Sequence, residues 1–236
     1  MAATAQIKSG QQVLDLACGT GVLTRKVASI VGATGSVVGL DINPGMLSVA
    51  GELAPEIEWK LGAAESLPFP DNYFDTIVSQ FGLMFFENKE KAIKEMTRVL
   101  TPGGRFAIAV WESLENTPAY AAEVELLQQE MGQKAADVLR APFALGNRDE
   151  FIGLFSGIGI KSIGISTHQG TAHFPSIQSM IESDLRIWLP VMGITPTEIQ
   201  IERMLDKARH THKQYIQANG SVKFDSHAHI AVGVKL

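Results

Sequence analysis

Two closely spaced glycines, Gly19 and Gly21, stand where a short apolar run (QQVLDLAC) gives way to a helical pattern. A carboxylate flanks them on each side, Asp15 ahead of the loop and Asp41 20 residues after Gly21. Glycine at such a turn admits unusual backbone angles and lets a ligand approach the main chain. An acid at the end of the next strand suits a ribose diol, accepting both hydroxyl protons. The glycines and Asp41 alone leave a nicotinamide dinucleotide open. Two details oppose it. The third glycine of G-x-G-x-x-G is Thr24 here. Asp15 would also repel a pyrophosphate, whereas beside an α-ammonium group and a sulfonium it is favourable. The loop reads as a site for a cationic amino-acid nucleoside.

The elements that must position these residues alternate through the first half. QQVLDLAC, SVVGLDI, IEWKLGA, FDTIVSQ and RFAIAVW read as strands, by length, flanking glycines and β-branched content. Helices are predicted from Gly21 to Val31, from Pro44, whose missing N–H costs nothing in a first turn, and from Asn88 to Leu100. The last carries Ala92, Ile93, Met96, Val99 and Leu100 on one face, and Pro102-Gly103-Gly104 breaks it. Such alternation implies a doubly wound, Rossmann-like α/β fold, a mostly parallel seven-stranded sheet with helices on both faces. Ligands bind such sheets outside the carboxyl ends of the strands, where every motif above falls. The second half predicts helices at 115–131, 148–155, 176–189 and 197–217 and strands at 161–174 and 222–234. In the last strand Phe224, Ser226, Ala228 and Ile230 would face one way, and Asp225, His227 and His229 the other. The whole chain, 1–236, reads as one domain, with a cofactor-binding half at 1–112 and a substrate-side half at 113–236. A helical cap, about 175–218, is inserted between the last two strands.

The 236 residues suit such a domain, and 45% are apolar, enough for a sizeable core. A net charge of −5 gives no support for non-specific nucleic-acid binding, which needs a basic field. The single cysteine, Cys18, permits no internal disulfide. No signal peptide or run of about 18 apolar residues is present, so the cytoplasm is the default compartment. A small-molecule acceptor is the expected partner, and a homodimer stays open.

VLDLACGTGVLT resembles the first motif of class I methyltransferases that use S-adenosylmethionine, GLDINPGML their ribose segment, and GAAESLPFPDNYFD their adenine-side loop. VSQFGLMFF and RVLTPGGRFAIAVW continue the likeness, which runs from about residue 12 to 111 and is nearest to quinone-biosynthesis and lipid-like small-molecule methyltransferases. The resemblance implies that Asp15, Ala17, Gly19 and Gly21 line the methionine portion and Asp41 holds the ribose. It implies too that Ile42 and Met46 flank the adenine, Ala64 and Glu65 edge it, and Gln80 ends the fourth strand beneath the methionine part. Many relatives carry Asp where this chain has Ala63, so that contact would pass to backbone or to Glu65. Relatives also carry N-terminal helices over the cofactor, and here the first strand begins about a dozen residues after Met1.

A sulfonium is already an activated methyl donor, so alignment and exclusion of water are the main tasks. No triad is expected, and no catalytic residue is assigned. Phe81, Met84, Phe85, Phe86, Trp111, Trp188, Leu189 and Met192 are candidates for an apolar or aromatic acceptor pocket, and each would serve equally as core. His227 and His229 read as one solvated or hydrogen-bonded strand face rather than a metal pair. His210 and His212 point apart on a helix, and His168 and His173 are weak candidates for a base. No His/Cys/Asp cluster has metal-site spacing. Asp71 with Asp75 reads as turn chemistry after Pro68 and Pro70. A catalytically inactive adenosylmethionine-binding subunit, regulatory or partner, is the alternative to an enzyme.

Overall fold

The computed structural model describes residues 1–236, the side chain at position 162 aside. Its elements in chain order are β1 (Gln12–Leu16), α1 (Val22–Val31), β2 (Ser36–Asp41), α2 (Pro44–Leu53), β3 (Glu58–Leu61), β4 (Phe74–Gln80), α3 (Lys89–Val99) and β5 (Leu100–Trp111). There follow α4 (Pro118–Met131), α5 (Gln133–Arg140), α6 (Arg148–Gly153), β6 (Ile160–His168), β7 (Thr171–Phe174), α7 (Ile177–Ser183), α8 (Leu189–Val191), α9 (Glu198–Thr211), β8 (Val222–Asp225) and β9 (Ala228–Lys235). The chain divides into two compact units. The first comprises residues 1–110, 147–166 and 229–236, and the second 111–146 and 167–228.

The first unit is built on a seven-stranded sheet of order β3-β2-β1-β4-β5-β9-β6. The pairings β1–β2, β2–β3, β1–β4 and β4–β5 are parallel. Strand order runs outward from β1 to β3, then restarts on the other side of β1 with β4. That reversal places a crevice at the carboxyl ends of β1 and β4. β1 is buried on both faces, with Val13, Leu14 and Leu16 inaccessible, as a central parallel strand demands. α2 and α3 start on side-chain caps: Asn43 accepts from the Gly45 and Met46 amides ahead of α2, and Asn88 from Lys91 ahead of α3. The α3 face expected from its spacing is the buried one, with Ala92, Ile93, Met96 and Val99 against the sheet.

Several expectations are corrected. Pro102-Gly103-Gly104 does not separate helix from strand, because β5 already begins at Leu100. Pairing with β4 jumps from Phe74↔Leu100 to Thr76↔Arg105, so the extra β5 residues form an irregularity inside the strand. The strand expected at 161–174 is two strands, β6 in the large sheet and β7 in a separate antiparallel pair with β8. The strand expected at 222–234 likewise breaks after Asp225 into β8 and β9. The alternation therefore fails across the break. His229 is buried, while His227 is half-buried with Nδ1 3.3 Å from Glu112 Oε2. The two do not share one strand face, because His227 lies between β8 and β9.

The second unit packs Leu126, Leu127 and Leu139 with Met180, Ile181, Leu185, Met204 and Phe224. The helix expected at 176–189 is interrupted by a π-helical turn, Asp184–Trp188, and that at 197–217 ends at Thr211. α5 was not legible as a separate helix. Gly132 at φ 85° divides it from α4, and its buried Ala135, Ala136 and Leu139 carry the helical period. Among the described residues no helix is long and apolar enough to cross a membrane.

Candidate functional site

The carboxyl ends of β1, β2 and β4 bring the expected constellation together. Asp15 is 1% exposed, and its Oδ2 accepts from Thr24 Oγ1 at 2.6 Å. Burial, with the nearby Asp41 charge, pushes the Asp15 carboxyl up to about 7 against the pull of the Thr24 hydrogen bond. Thr24, which opposed a dinucleotide at the sequence level, is thus the residue that orients Asp15. A hydroxyl on the buried face of α1 was the available signal.

The loop after β1 is held in left-handed backbone at three positions, Ala17 (φ 57°), Gly19 (φ 55°) and Gly21 (φ 77°). For alanine this conformation costs about 1–2 kcal/mol. Phe81, just beyond β4, shares it at φ 60°. The two strained segments meet, because a Cβ on Gly82 would lie 2.5 Å from the Ala17 Cβ. Backbone strain of this kind concentrates at ligand sites, where the surroundings over-determine it. At Gly19 a Cβ would meet nothing within 4 Å, so the loop opens there onto free space. Gly21 is closed from behind by Trp59, whose ring would stand 2.3 Å from an added Cβ. Trp59 covers Gly39 in the same way and anchors its indole N–H on the Ala54 carbonyl at 2.9 Å. It was missed in the sequence, although a glycine inside β2 signals a close approach.

Asp41 ties the loop to β2. Its Oδ2 accepts from the Gly19 amide and its Oδ1 from the Asn43 amide, both at 2.8 Å. Each oxygen keeps a lone pair for a diol. Beside it Ile42 is 72% exposed, an apolar face offered to solvent at the strand end, and Met46 is half-buried on α2. Ala64 is buried. Glu65 is engaged, its Oε1 accepting the Asn88 amide at 3.1 Å. The loop that carries them is clamped by α3. Arg98 donates to the Leu67 and Phe69 carbonyls and to Asp71, while Glu95 accepts the Leu67 amide and pairs with Arg98. Asp71 is thus an ion-pair partner, and Asp75 accepts the Gln12 amide at 2.8 Å, so neither acts through turn chemistry. Cys18 is half-buried between the two acids. Burial first, then their charges, push its thiol far up, away from reactivity.

Gln80, expected beneath the methionine portion, ends β4 exposed; of the acceptor-side residues, Phe81 bonds the Ala109 carbonyl through its amide at 2.9 Å. Met84 is buried, whereas Phe85 is 41% exposed. In the second unit Trp111 is half-buried at the end of β5, and Trp188 is half-buried with its indole N–H on the Val138 carbonyl at 3.1 Å. That bond and its place against the apolar cluster account for Trp188 as packing. His212 is fully buried, with Nε2 3.0 Å from the Ala119 carbonyl and Nδ1 2.8 Å from Thr211 Oγ1. Desolvation lowers its basicity. Among the described residues no group of three or more His, Cys, Asp or Glu side chains could hold a metal.

These features match known proteins at two levels. Residues 14–108 match a family described as a methyltransferase domain. Over 108 residues the chain is 48% identical to the ubiquinone/menaquinone biosynthesis C-methyltransferase UbiE of Ectopseudomonas mendocina, covering 43% of this chain and 42% of that protein. The corresponding protein of Yersinia enterocolitica is 47% identical over the same length. The chain thus spans less than half of the curated relatives it matches. Among solved structures, the YcgJ protein of Bacillus subtilis is 25% identical, with a TM-score of 0.65, over 100% of this chain and 96% of that one. A phosphoethanolamine N-methyltransferase of Haemonchus contortus, solved with S-adenosylhomocysteine, shares the fold at 18% identity and TM-score 0.60, over 99% of this chain and 51% of that one.

Proposed function

We propose that this chain, whose residues 14–108 match a family described as a methyltransferase domain, is a class I S-adenosylmethionine-dependent enzyme that methylates a small apolar or aromatic acceptor. One observation carries the reading. A buried Asp15, a left-handed loop opening at Gly19 and a loop-tied Asp41 lie together at the carboxyl ends of adjacent parallel strands. These residues suit the group chemically. Asp15 would face the α-ammonium end, and the loop's backbone would follow the amino-acid portion. The free lone pairs of Asp41 would accept the ribose hydroxyls. Ile42 and Met46 would flank the adenine, with Ala64 and Glu65 at its edge. The bond from Glu65 to Asn88 leaves its second oxygen for that contact.

When bound, S-adenosylmethionine supplies a methyl group on a cationic sulfur. Attack by the acceptor would form its bond to that carbon while the sulfur–carbon pair returns to sulfur. A neutral acceptor must also lose a proton. Phe81, Met84 and Phe85 of the first unit are proposed to hold the acceptor in line, with Gln80 beneath the methionine portion of the cofactor. The apolar surfaces of Phe81, Met84 and Phe85 would orient and dehydrate rather than ionise. Because the similar proteins are ubiquinone/menaquinone biosynthesis C-methyltransferases, quinone precursors come first in an acceptor panel, with C-methylation as the first product to seek.

The test is turnover. The chain is incubated with S-adenosylmethionine and that panel, and S-adenosylhomocysteine is measured. Acceptor-dependent release supports the proposal. Tight cofactor binding without turnover on any acceptor would instead support the inactive, cofactor-binding subunit.

A further inference from the structure

The second unit contains a pair of acids that the proposed reaction does not use. Glu123 lies on α4, and Asp184 opens the π-helical turn Asp184–Trp188. Glu123 is completely buried, and neither of its carboxyl oxygens has a hydrogen-bond donor. The buried Oδ2 of Asp184 has none either. Three orphaned acceptor atoms in an apolar core are costly unless a donor lies among them. Two carboxyls can supply that donor themselves, because one that keeps its proton can donate to the other.

We propose that Glu123 and Asp184 share a proton, forming a pH-sensitive latch that joins α4 to the π-helical turn. In this arrangement Glu123 donates and Asp184 accepts, which would give partners to buried oxygens that otherwise lack them. Desolvation holds both carboxyls well above the ordinary range, and the Asp184 charge raises Glu123 further. The pair titrates as a unit.

Among the described residues no cation offsets this arrangement. Arg186, on the same turn, is turned to Glu182 and Glu198. On α5, Arg140 is turned to Asp137 and Gln128. On α9, Lys207 pairs with Glu130, and His212 is occupied by Ala119 and Thr211. On β8, Lys223 and Asp225 are exposed. Tyr120, one turn before Glu123, is the remaining titratable neighbour, and burial with the two acid charges keeps it protonated. The apolar packing around the pair, with Val124 and Leu127 against Ile181 and Leu185, then depends on the shared proton.

The sign follows from linkage. Both carboxyls are raised in the folded state, so the folded state holds protons that the unfolded state releases from about pH 4 upward. The latch's stability is full below that pH and declines as pH rises through neutrality. The experiment follows thermal unfolding between about pH 5.5 and 8.5 for the wild type, Glu123→Gln and Asp184→Asn. Glu123→Gln substitutes a permanent amide donor for the proton, and Asp184→Asn removes the accepting acid. The wild-type midpoint is expected to fall with pH, and both variants to lose much of that slope. Infrared spectroscopy at about pH 8 is expected to show a protonated-carboxyl carbonyl band in the wild type that Glu123→Gln removes. Parallel pH profiles for all three proteins, or no such band in the wild type, would overturn the latch. The wild-type spectrum decides even if a variant does not fold.

Discussion

With Asp15 proposed to receive the cofactor's α-ammonium group, binding is expected to be sensitive to pH, and the size of the effect follows from the burial of Asp15. With its carboxyl pushed up to about 7, Asp15 is half ionised at neutrality and about one-tenth ionised a unit below it. If the charged form is the one that receives the ammonium, the apparent affinity for S-adenosylmethionine falls about five-fold from pH 7 to pH 6. Above about pH 8 the ligand's own α-amino group loses its charge, so affinity declines on that side also and the profile is bell-shaped. Titration calorimetry in two buffers of different ionisation enthalpy reads both the affinity and the proton released on binding. That release approaches one per ligand on the acid side. Asp15→Asn is expected to bind more weakly at neutrality and to lose the acid limb altogether. Equal affinity at pH 6 and pH 7, or an acid limb that persists in Asp15→Asn, would refute the assignment of Asp15 to the cation.

Other consequences concern how the site is held. Gly82→Ala sets a Cβ 2.5 Å from that of Ala17 and is expected to cost about 1–3 kcal/mol, read by denaturant unfolding, with weaker cofactor binding. Gly39→Ala drives against Trp59 at 2.4 Å; the tryptophan emission should shift and the unfolding midpoint drop. Arg98→Ala removes donors from the Leu67 and Phe69 carbonyls and from Asp71. It should destabilise by about 1–3 kcal/mol and raise hydrogen exchange in residues 65–72. Cys18 should react with iodoacetamide at pH 8 far more slowly in the folded protein than after denaturation, since burial and two acids hold it as a thiol.

The first half of the fold was legible because each of its elements announces itself locally. FDTIVSQ is β4 to the residue, Asn43-Pro44 caps and opens α2, and the α3 period matches its buried face. The second half was less so, because its breaks are tertiary. Nothing in the alternation from Phe224 to Ile230 reveals that the chain leaves a two-stranded sheet after Asp225 and joins the large one at Ala228. The π-helical turn at Asp184 likewise belongs to the packing of the second unit. At the site, residue types identified Asp15 and Asp41 but not what holds them. Thr24 acts through a 2.6 Å hydrogen bond across nine residues, and Trp59 acts through space left by Gly39 on β2 and Gly21 in the loop after β1.

The loop from Asp15 to Gly21, with Asp41, is proposed to receive S-adenosylmethionine, and a crystal structure with S-adenosylhomocysteine puts that to the test. The ribose hydroxyls are expected on the Asp41 carboxylate and the α-ammonium group within hydrogen-bonding reach of Asp15 or one water away. The amino-acid portion should lie along the backbone at Ala17 and Gly19. A nucleoside bound elsewhere, or one bound here with its ammonium group turned away from Asp15, would contradict it.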